Sequence, residues 1–309
     1  MKSEELEVYS GVPQGSVLGP ILFVIYMSDL PSTIKSKPRI FADDTKMMGE
    51  VGSVSNIEFV KQDLEQLEKW ATDNGMRFNT DKCSVMHCGN NNPRSNYMLY
   101  DQNIRETLCE KDLGIQIDSD MKFKQQVNAA VSKANQKLGM IKRNFATMTP
   151  KMFTVLYPML VRPHLEYAVQ IWSPYQQGLQ NKLEAVQRRA TKLVKGMKNL
   201  SYSDRLQSLN LMSTEVRRNR GDMILAYRIM SKKLDLGREI FSTPIGNSTR
   251  GHTAKLQKVR FKKDKRKYFF TNRVVNHWNG LPQRVIDLVM VDAFKKGYDR
   301  IENRGSTTR

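Results

Sequence analysis

Cysteine is nearly missing from this chain. The three present, Cys83, Cys88 and Cys109 in 309 residues, are too few and odd in number for a disulfide framework, which points to a reducing compartment. Cys83, His87 and Cys88 cluster, but Cys109 is the one remaining thiol and completes no four-ligand spacing, so no structural zinc is expected. The longest apolar run, residues 17–27, is too short to cross a membrane and is broken by Gly19-Pro20. No targeting segment, internal repeat or nuclease motif is visible. Acidic residues are scarce in one half only. Residues 1–121 hold 12 Lys/Arg and 19 Asp/Glu, a net of −7, whereas residues 122–309 hold 38 and 12, a net of +26. A difference this large makes a solubility bias the weaker reading and fits a metal-using front joined to a polyanion-binding back. Hydrophobic content of 39% and charged content of 26% allow a buried core, and the length suits two or three compact units.

Against that background one stretch stands out, Arg39-Ile40-Phe41-Ala42-Asp43-Asp44-Thr45. Ile40, Phe41 and Ala42 read as a short buried strand running into two carboxylates. Concentrated negative charge at the rim of an apolar core is costly unless cations fill it, and hard oxygen ligands suit Mg²⁺. Alone, an Asp-Asp pair fits a solvated turn equally well. Upstream lies Gly11-Val12-Pro13-Gln14-Gly15-Ser16. Ser16 is placed to cap a helix that tolerates Pro20 in its first turn and ends at about Asp29, before Leu30-Pro31. Residues 1–10 read as a short strand entering that loop.

The spacing of Ile57, Val60, Leu64, Leu67 and Ala71 predicts a helix over 56–74, stopped by Gly75. A strand-turn-strand is expected through residues 76–78 and 83–87, a hairpin around Asp101-Gln102-Asn103, and a strand pair over 112–118 bent at Gly114. Together these predict a half sheet over 5–118 whose apolar edge is exposed and open to self-association. A helix is expected over 124–146 on a stripe of Val127, Val131, Ala134, Leu138, Ile141 and Phe145. Another opens at Thr149-Pro150 and is kinked or ended by Pro158. A third carries Leu179, Leu183, Val186, Ala190 and Leu193, with Arg188 and Arg189 beside the stripe. His164, Tyr167 and Trp172 read as core or packing residues.

Farther on, Ser203 and Thr214 are expected to cap helices over 204–209 and 215–234, and Arg217, Arg218 and Arg220 crowd one turn. Residues 235–254 read as a loop or linker. From 250 to 273 ten basic residues stand against Asp264, with Tyr268, Phe269 and Phe270 among them. Arg188, Arg189, Lys262, Lys263, Lys265, Arg266 and Lys267 are the expected phosphate contacts, with the aromatics mostly structural. The tail from Asn303 is expected to be loose.

The Gln14-Gly15-Ser16 loop followed by Phe41-Ala42-Asp43-Asp44 resembles two neighbouring motifs of the reverse transcriptase palm, in the spelling of non-LTR (LINE-type, jockey-like and chicken-repeat-like) retrotransposons. Gly75-Met76-Arg77-Phe78-Asn79-Thr80-Asp81-Lys82-Cys83 and Asn276-His277-Trp278-Asn279-Gly280-Leu281-Pro282 extend the resemblance. It implies an α+β fold: the C-terminal half of a polymerase palm over 1–118, a helical thumb over 119–198 and a basic, mainly helical extension over 199–309. It implies RNA-directed DNA synthesis by a two-metal mechanism using Mg²⁺ or Mn²⁺. Asp43 and Asp44 would be catalytic metal ligands, Asp43 the better one, and Lys82 would help protonate the departing pyrophosphate. A strand-entry lysine facing water is an equal reading of Lys82. Gln14, Gly15 and Ser16 would lie near template and nucleotide, and Leu113 and Gly114 in the primer grip. The implied partners are an RNA template, a DNA primer or target and the element's own RNA, in the nucleus or cytoplasm and not at a membrane. The family's first catalytic aspartate and its fingers find no match here, so a truncated polymerase, inactive alone, is expected. The alternative is a non-catalytic, retroelement-derived nucleic-acid-binding protein, with a group II intron maturase a more distant third.

Overall fold

The computed structural model describes residues 11–306 apart from 13–14, 37, 235–237 and 244–250. The fold is α+β, mostly helical with small sheets, and divides into two units, Met1–Glu110 and Lys111–Arg309. In the first unit, Ser16 Oγ accepts the Gly19 N–H (3.0 Å) at the head of α1, Gly19–Tyr26. Pro20 costs this helix nothing, because first-turn N–H groups have no helical acceptor. The helix stops short of Asp29. Leu30-Pro31 opens a further turn, α2 (Leu30–Thr33), instead of closing α1. Strands β1 (Arg39–Phe41) and β2 (Asp44–Lys46) form an antiparallel hairpin.

Helix α3 spans Val54–Asp73, capped by Ser53, whose side chain accepts the Asn56 N–H (3.2 Å). Its Val60, Leu67, Trp70 and Ala71 are buried, and Leu67, Trp70 and Ala71 form a core with Met27, Leu30 and Ile34. Each large apolar side chain fully buried there contributes about 1.5–3 kcal/mol. Asp63 is also buried on this helix. Its two oxygens accept the Lys35 and Ser36 N–H groups, both at 2.8 Å, and so tie the segment after α2 to α3.

The sheet expected over 5–118 does not form among the described residues. Residues 5–10 lie outside them, and the strands that are described make four separate two-stranded sheets. Residues 76–78 are not a strand. The Asn79 side chain accepts the Asp81 N–H, and the Asn79 carbonyl accepts from Lys82 and Cys83, so local turns take the donors a hairpin would need. What remains is β3 (Ser84–Val85), which pairs in parallel with β6 (Arg105–Glu106). Between them β4 (Met98–Leu99) and β5 (Gln102–Asn103) form the expected hairpin. Its turn lies at Tyr100 and Asp101, with φ of 48° and 60°. Strand β7 (Cys109–Asp112) pairs with β8 (Ile115–Asp118) around the turn at Leu113 and Gly114, as expected.

In the second unit α4 runs over Lys124–Asn144, two residues short of Ala146, and Phe145 is exposed instead of completing the stripe. Thr149 caps α5 (Pro150–Leu156), accepting the Met152 N–H at 3.2 Å. Pro158 does not end the helical path. The chain passes it in one π-helical turn, Tyr157–Val161, and continues into α6 (Arg162–Glu166), which removes the demand for the missing N–H. Then follow α7 (Val169–Trp172), α8 (Gln177–Thr191), α9 (Tyr202–Ser208) and α10 (Thr214–Met230). Ser201 and Ser213 cap the last two, not Ser203 and Thr214. Thr214 is already helical, and its hydroxyl donates to Glu184. Farther along come α11 (Asp264–Lys267), α12 (Phe270–Arg273), α13 (Val275–Asn279), α14 (Gln283–Ile286) and α15 (Val291–Ser306). The expected loose tail is therefore helical to Ser306, and residues 307–309 lie outside the described residues.

Two apolar cores fill this unit. Val127, Ala134 and Leu138 of α4 belong to one, with Tyr157, Leu165, Trp172, Leu183 and Ala190. Met223, Tyr227, Trp278, Phe294 and Tyr298 belong to the other. Helix α10 is held by three arginine–carboxylate forks: Arg217 to Glu166, Arg220 to Asp299, and Asp222 to Arg273. The crowded arginines of α10 thus divide their work, and two of the three fix the helix in place. No described helix is long and apolar enough to cross a membrane.

Candidate active-site turn and nucleic-acid interface

Phe41 pairs with Asp44 across a two-residue turn made by Ala42 and Asp43. Ala42 takes φ of 53°, a left-handed conformation that costs a residue with a Cβ about 1–2 kcal/mol. The strain sets the corner so that Asp43 lies in the turn and Asp44 opens β2. Both carboxylates are exposed, and neither is held by a hydrogen bond or ion pair among the described residues. The expectation of a buried strand is overturned here. Phe41 is 64% exposed, because β1 and β2 have no further strand beside them among the described residues and a lone hairpin cannot cover a large side chain.

The donor chemistry of this turn suits a hard divalent cation, but the donor number does not complete one. No group of three or more His, Cys, Asp or Glu converges among the described residues. Two adjacent carboxylates leave most of an octahedral shell to water or to other ligands.

The other sequence-predicted residues lie on separate elements. Gln14 lies outside the described residues. Gly15 is exposed with φ of 90°, and nothing lies within 4 Å of where a Cβ would stand, so the backbone is open to close approach. Ser16 spends its hydroxyl on the helix start. Lys82 is exposed on the Asn79 turn, and no hydrogen bond or ion pair joins its side chain to Asp43 or Asp44. Leu113 and Gly114 form a left-handed corner with φ of 45° and 85°. Tyr167 braces it, its hydroxyl donating to the Leu113 carbonyl at 3.1 Å. Tyr167 is thus an exposed brace and not a core residue, whereas Trp172 is fully buried.

In the second unit Lys262, Lys263, Arg266 and Lys267 are exposed and Lys265 is half-buried. The segment is anchored by aromatic contacts. Tyr268 stacks on Tyr175 with ring centroids 4.5 Å apart, and Arg266 lies over the exposed Phe269 ring. Phe270 goes into the core, so the aromatics divide between packing and surface. Arg188 lies over the Tyr202 ring at 4.7 Å, and Arg189 donates to Asn135 Oδ1 at 2.8 Å. Sequence reasoning missed Asn272, a fully buried amide that holds the basic segment. With Thr271, Arg273 and Asn276 also polar around it, nothing in the local sequence marked it out.

Comparison with known proteins adds to this geometry. Residues 1–138 match the family described as "Reverse transcriptase (RNA-dependent DNA polymerase)". The chain is similar to the "RNA-directed DNA polymerase from mobile element jockey" of Drosophila melanogaster, 25% identical over 210 residues, which make up 63% of this chain and 23% of that protein. It is also similar to the "Probable RNA-directed DNA polymerase from transposon X-element" of the same organism, 25% identical over 207 residues, 63% of this chain and 22% of the relative. The jockey protein of Drosophila funebris is 24% identical over 206 residues, 61% and 22% of the two chains. The matched stretch is less than a quarter of the length of these relatives. No solved structure matches the chain.

Proposed function

We propose, from the match of residues 1–138 to the reverse transcriptase family and the similarity to the jockey and X-element proteins, that this chain supplies the carboxylate turn and the nucleic-acid-holding parts of an RNA-directed DNA polymerase of the jockey-like, non-LTR kind. The exposed turn at Asp43 and Asp44 carries the reading, because it presents two unengaged carboxylates on a strained corner. A divalent ion bound there would favour loss of the primer hydroxyl's proton and neutralise triphosphate charge. In this reading Asp43 and Asp44 hold the ion, Gln14, Gly15 and Ser16 face template and nucleotide, Lys82 donates a proton to pyrophosphate, and the Leu113–Gly114 corner steadies the primer end. Residues 1–118 are the palm part, 119–198 the thumb and 199–309 a basic extension. The two apolar cores of the second unit support two helical parts there, with Leu209 and Leu211 packed in the first core and the second beginning at Met223. RNA template and DNA primer bind mainly through Arg188, Arg189, Lys262, Lys263, Lys265, Arg266 and Lys267, in the nucleus or cytoplasm.

The chain does not polymerise alone in this reading. Two-metal chemistry needs carboxylates converging from separate elements, whereas Asp43 and Asp44 are neighbours on one hairpin turn and no third acidic group converges with them among the described residues. A second reading, a nucleic-acid-binding protein without catalysis, is favoured by the net +26 of residues 122–309. Primer extension on an RNA template with Mg²⁺ separates the two. Extension by this chain alone that vanishes in Asp43→Ala would refute the proposal of dependence. Restoration by adding a polymerase segment that carries a further carboxylate, again lost in Asp43→Ala, is the expected result. Failure of restoration, with nucleic-acid binding intact, favours the second reading.

A further inference from the structure

A pocket of about 230 Å³ opens between one face of α8 and the first turn of α10. Arg218 lines it and is only 4% exposed. Its one hydrogen bond among the described residues runs from Nη1 to Thr214 Oγ1 (3.1 Å), and it forms no ion pair there. A guanidinium carries five N–H donors, so most of this buried charge lacks a protein acceptor. Arg217 and Arg220, on the same helix, each have a carboxylate fork; Arg218 has none.

One other group of the pocket points the same way. Arg188 exposes its guanidinium above Tyr202, and that guanidinium makes no hydrogen bond or ion pair among the described residues. Glu184 also lines the pocket, but its acceptors are engaged. The Tyr202 hydroxyl donates to one oxygen, and the Thr214 N–H (2.9 Å) and hydroxyl donate to the other. Ser213 caps α10 and lines the pocket, but the helix end adds no free donor there, because the Thr214 N–H goes to Glu184 and the Val216 N–H to Ser213. Glu215 and Glu184 are the opposing charges, since hydrogen bonds from neutral donors leave the Glu184 carboxylate charged. Glu215 is the one not engaged: it is exposed at the rim and has no hydrogen bond or ion pair among the described residues.

We propose that this pocket is a phosphate-binding site, with Arg218 as its buried anchor and Arg188 as its outer guanidinium. The unmet groups are cationic donors, which select an oxyanion over a neutral base, since a base would also need free acceptors. Burial pushes Arg218 below the usual guanidinium range, opposed by Glu215, Glu184 and Asp222, and a bound oxyanion would offset that burial. The phosphate is either a backbone phosphate of a nucleic acid or that of a free phosphorylated compound. The site shares Arg188 with the nucleic-acid contacts named above, but it depends neither on the carboxylate turn nor on polymerase activity.

The test uses the full chain at constant ionic strength. Inorganic phosphate is titrated by calorimetry, and labelled single-stranded RNA by fluorescence anisotropy. Arg188→Gln should weaken binding by about 3–10-fold and Arg218→Gln by more, while Glu215→Gln should tighten it by about 2–5-fold through loss of a like charge. Arg143→Gln, an exposed arginine on α4, controls for net charge. The expected pattern in both ligands assigns a nucleic-acid phosphate, and in phosphate alone a free phosphorylated ligand. In RNA alone, it assigns a backbone phosphate that needs neighbouring contacts to bind. If Arg218→Gln does not fold by circular dichroism, the two exposed variants decide. The proposal is overturned if they change neither ligand more than Arg143→Gln does, or if Glu215→Gln weakens both.

Discussion

Asn272 holds Val259 by both of its backbone groups. Oδ1 accepts the Val259 N–H at 3.0 Å, and Nδ2 donates to the Val259 carbonyl at 3.3 Å and to the Arg266 carbonyl at 2.9 Å. A side-chain amide has the donor and acceptor edge needed to pair with a peptide group. One buried residue thereby ties down both ends of the segment that carries Arg260, Lys262, Lys263 and Lys265.

Replacing that amide should loosen the basic segment. Asn272→Leu keeps much of the volume but leaves three backbone groups without this partner, and should cost about 2–4 kcal/mol. Urea denaturation would show a lower midpoint with little change of slope. RNA affinity should fall as well, although every lysine is retained. An unchanged midpoint would show that Asn272 does not hold the segment.

The helical half was legible in the sequence because its signals are periodic and local. The stripe of α4 and the Gly75 stop of α3 follow from spacing and backbone freedom. The hairpin over 98–103 and the corner at Gly114 were legible for the same reason. Other features depend on partners distant in sequence. Nothing near Asp63 announces that it binds the Lys35 and Ser36 amides, and nothing near Arg218 distinguishes it from Arg217 or Arg220. Burial of Phe41 was misjudged because apolar character tells what a strand could cover, not whether a neighbouring strand is present. At the candidate site, the carboxylates were legible as a pair, whereas the Tyr167 brace lies 54 residues from Leu113 and could not be read from either segment.

The Leu113–Gly114 corner should be sensitive to backbone strain more than to crowding. A Cβ on Gly114 would stand 3.5 Å from Tyr167 Cε1, an ordinary contact, but φ of 85° disfavours a side chain. Gly114→Ala should therefore cost about 1–2 kcal/mol. Tyr167→Phe removes the exposed hydrogen bond to the Leu113 carbonyl and should cost about 0.5–1.5 kcal/mol. Thermal melts of both variants check the order. A larger loss in Tyr167→Phe would make the brace, and not the corner, the dominant constraint.

His164 should give the second unit a pH dependence. Burial, followed by the charges of Lys137 and Lys133, holds its imidazole below the ordinary range. The unfolded chain then takes up the proton first as pH falls. Stability from the neutral ring is complete above the unfolded value of about 6.5 and is lost as pH drops through the lower folded value. The wild type should therefore lose more stability between about pH 7.5 and 5 than His164→Gln does. Equal losses in paired denaturation curves would remove His164 as the source.

Helix α1 should make the isolated chain self-associate, through a helix surface and not the sheet edge the sequence suggests. Its residues Gly19–Tyr26 carry no charge, and Ile21, Val24 and Ile25 are each more than half exposed. Phe23 packs on the core with Met27, so one face of the helix is covered while the others stay bare among the described residues. A helix that is apolar all round matches a buried environment, and exposed apolar patches promote association. Ile21→Glu combined with Val24→Glu should shift sedimentation toward the monomer and reduce light scattering. The melting temperature should change little, because exposed helix positions away from packed contacts usually contribute within about 0.5 kcal/mol. A monodisperse wild-type monomer at high concentration would contradict the assignment. So would a double variant that associates as before, since the surface responsible would then lie elsewhere.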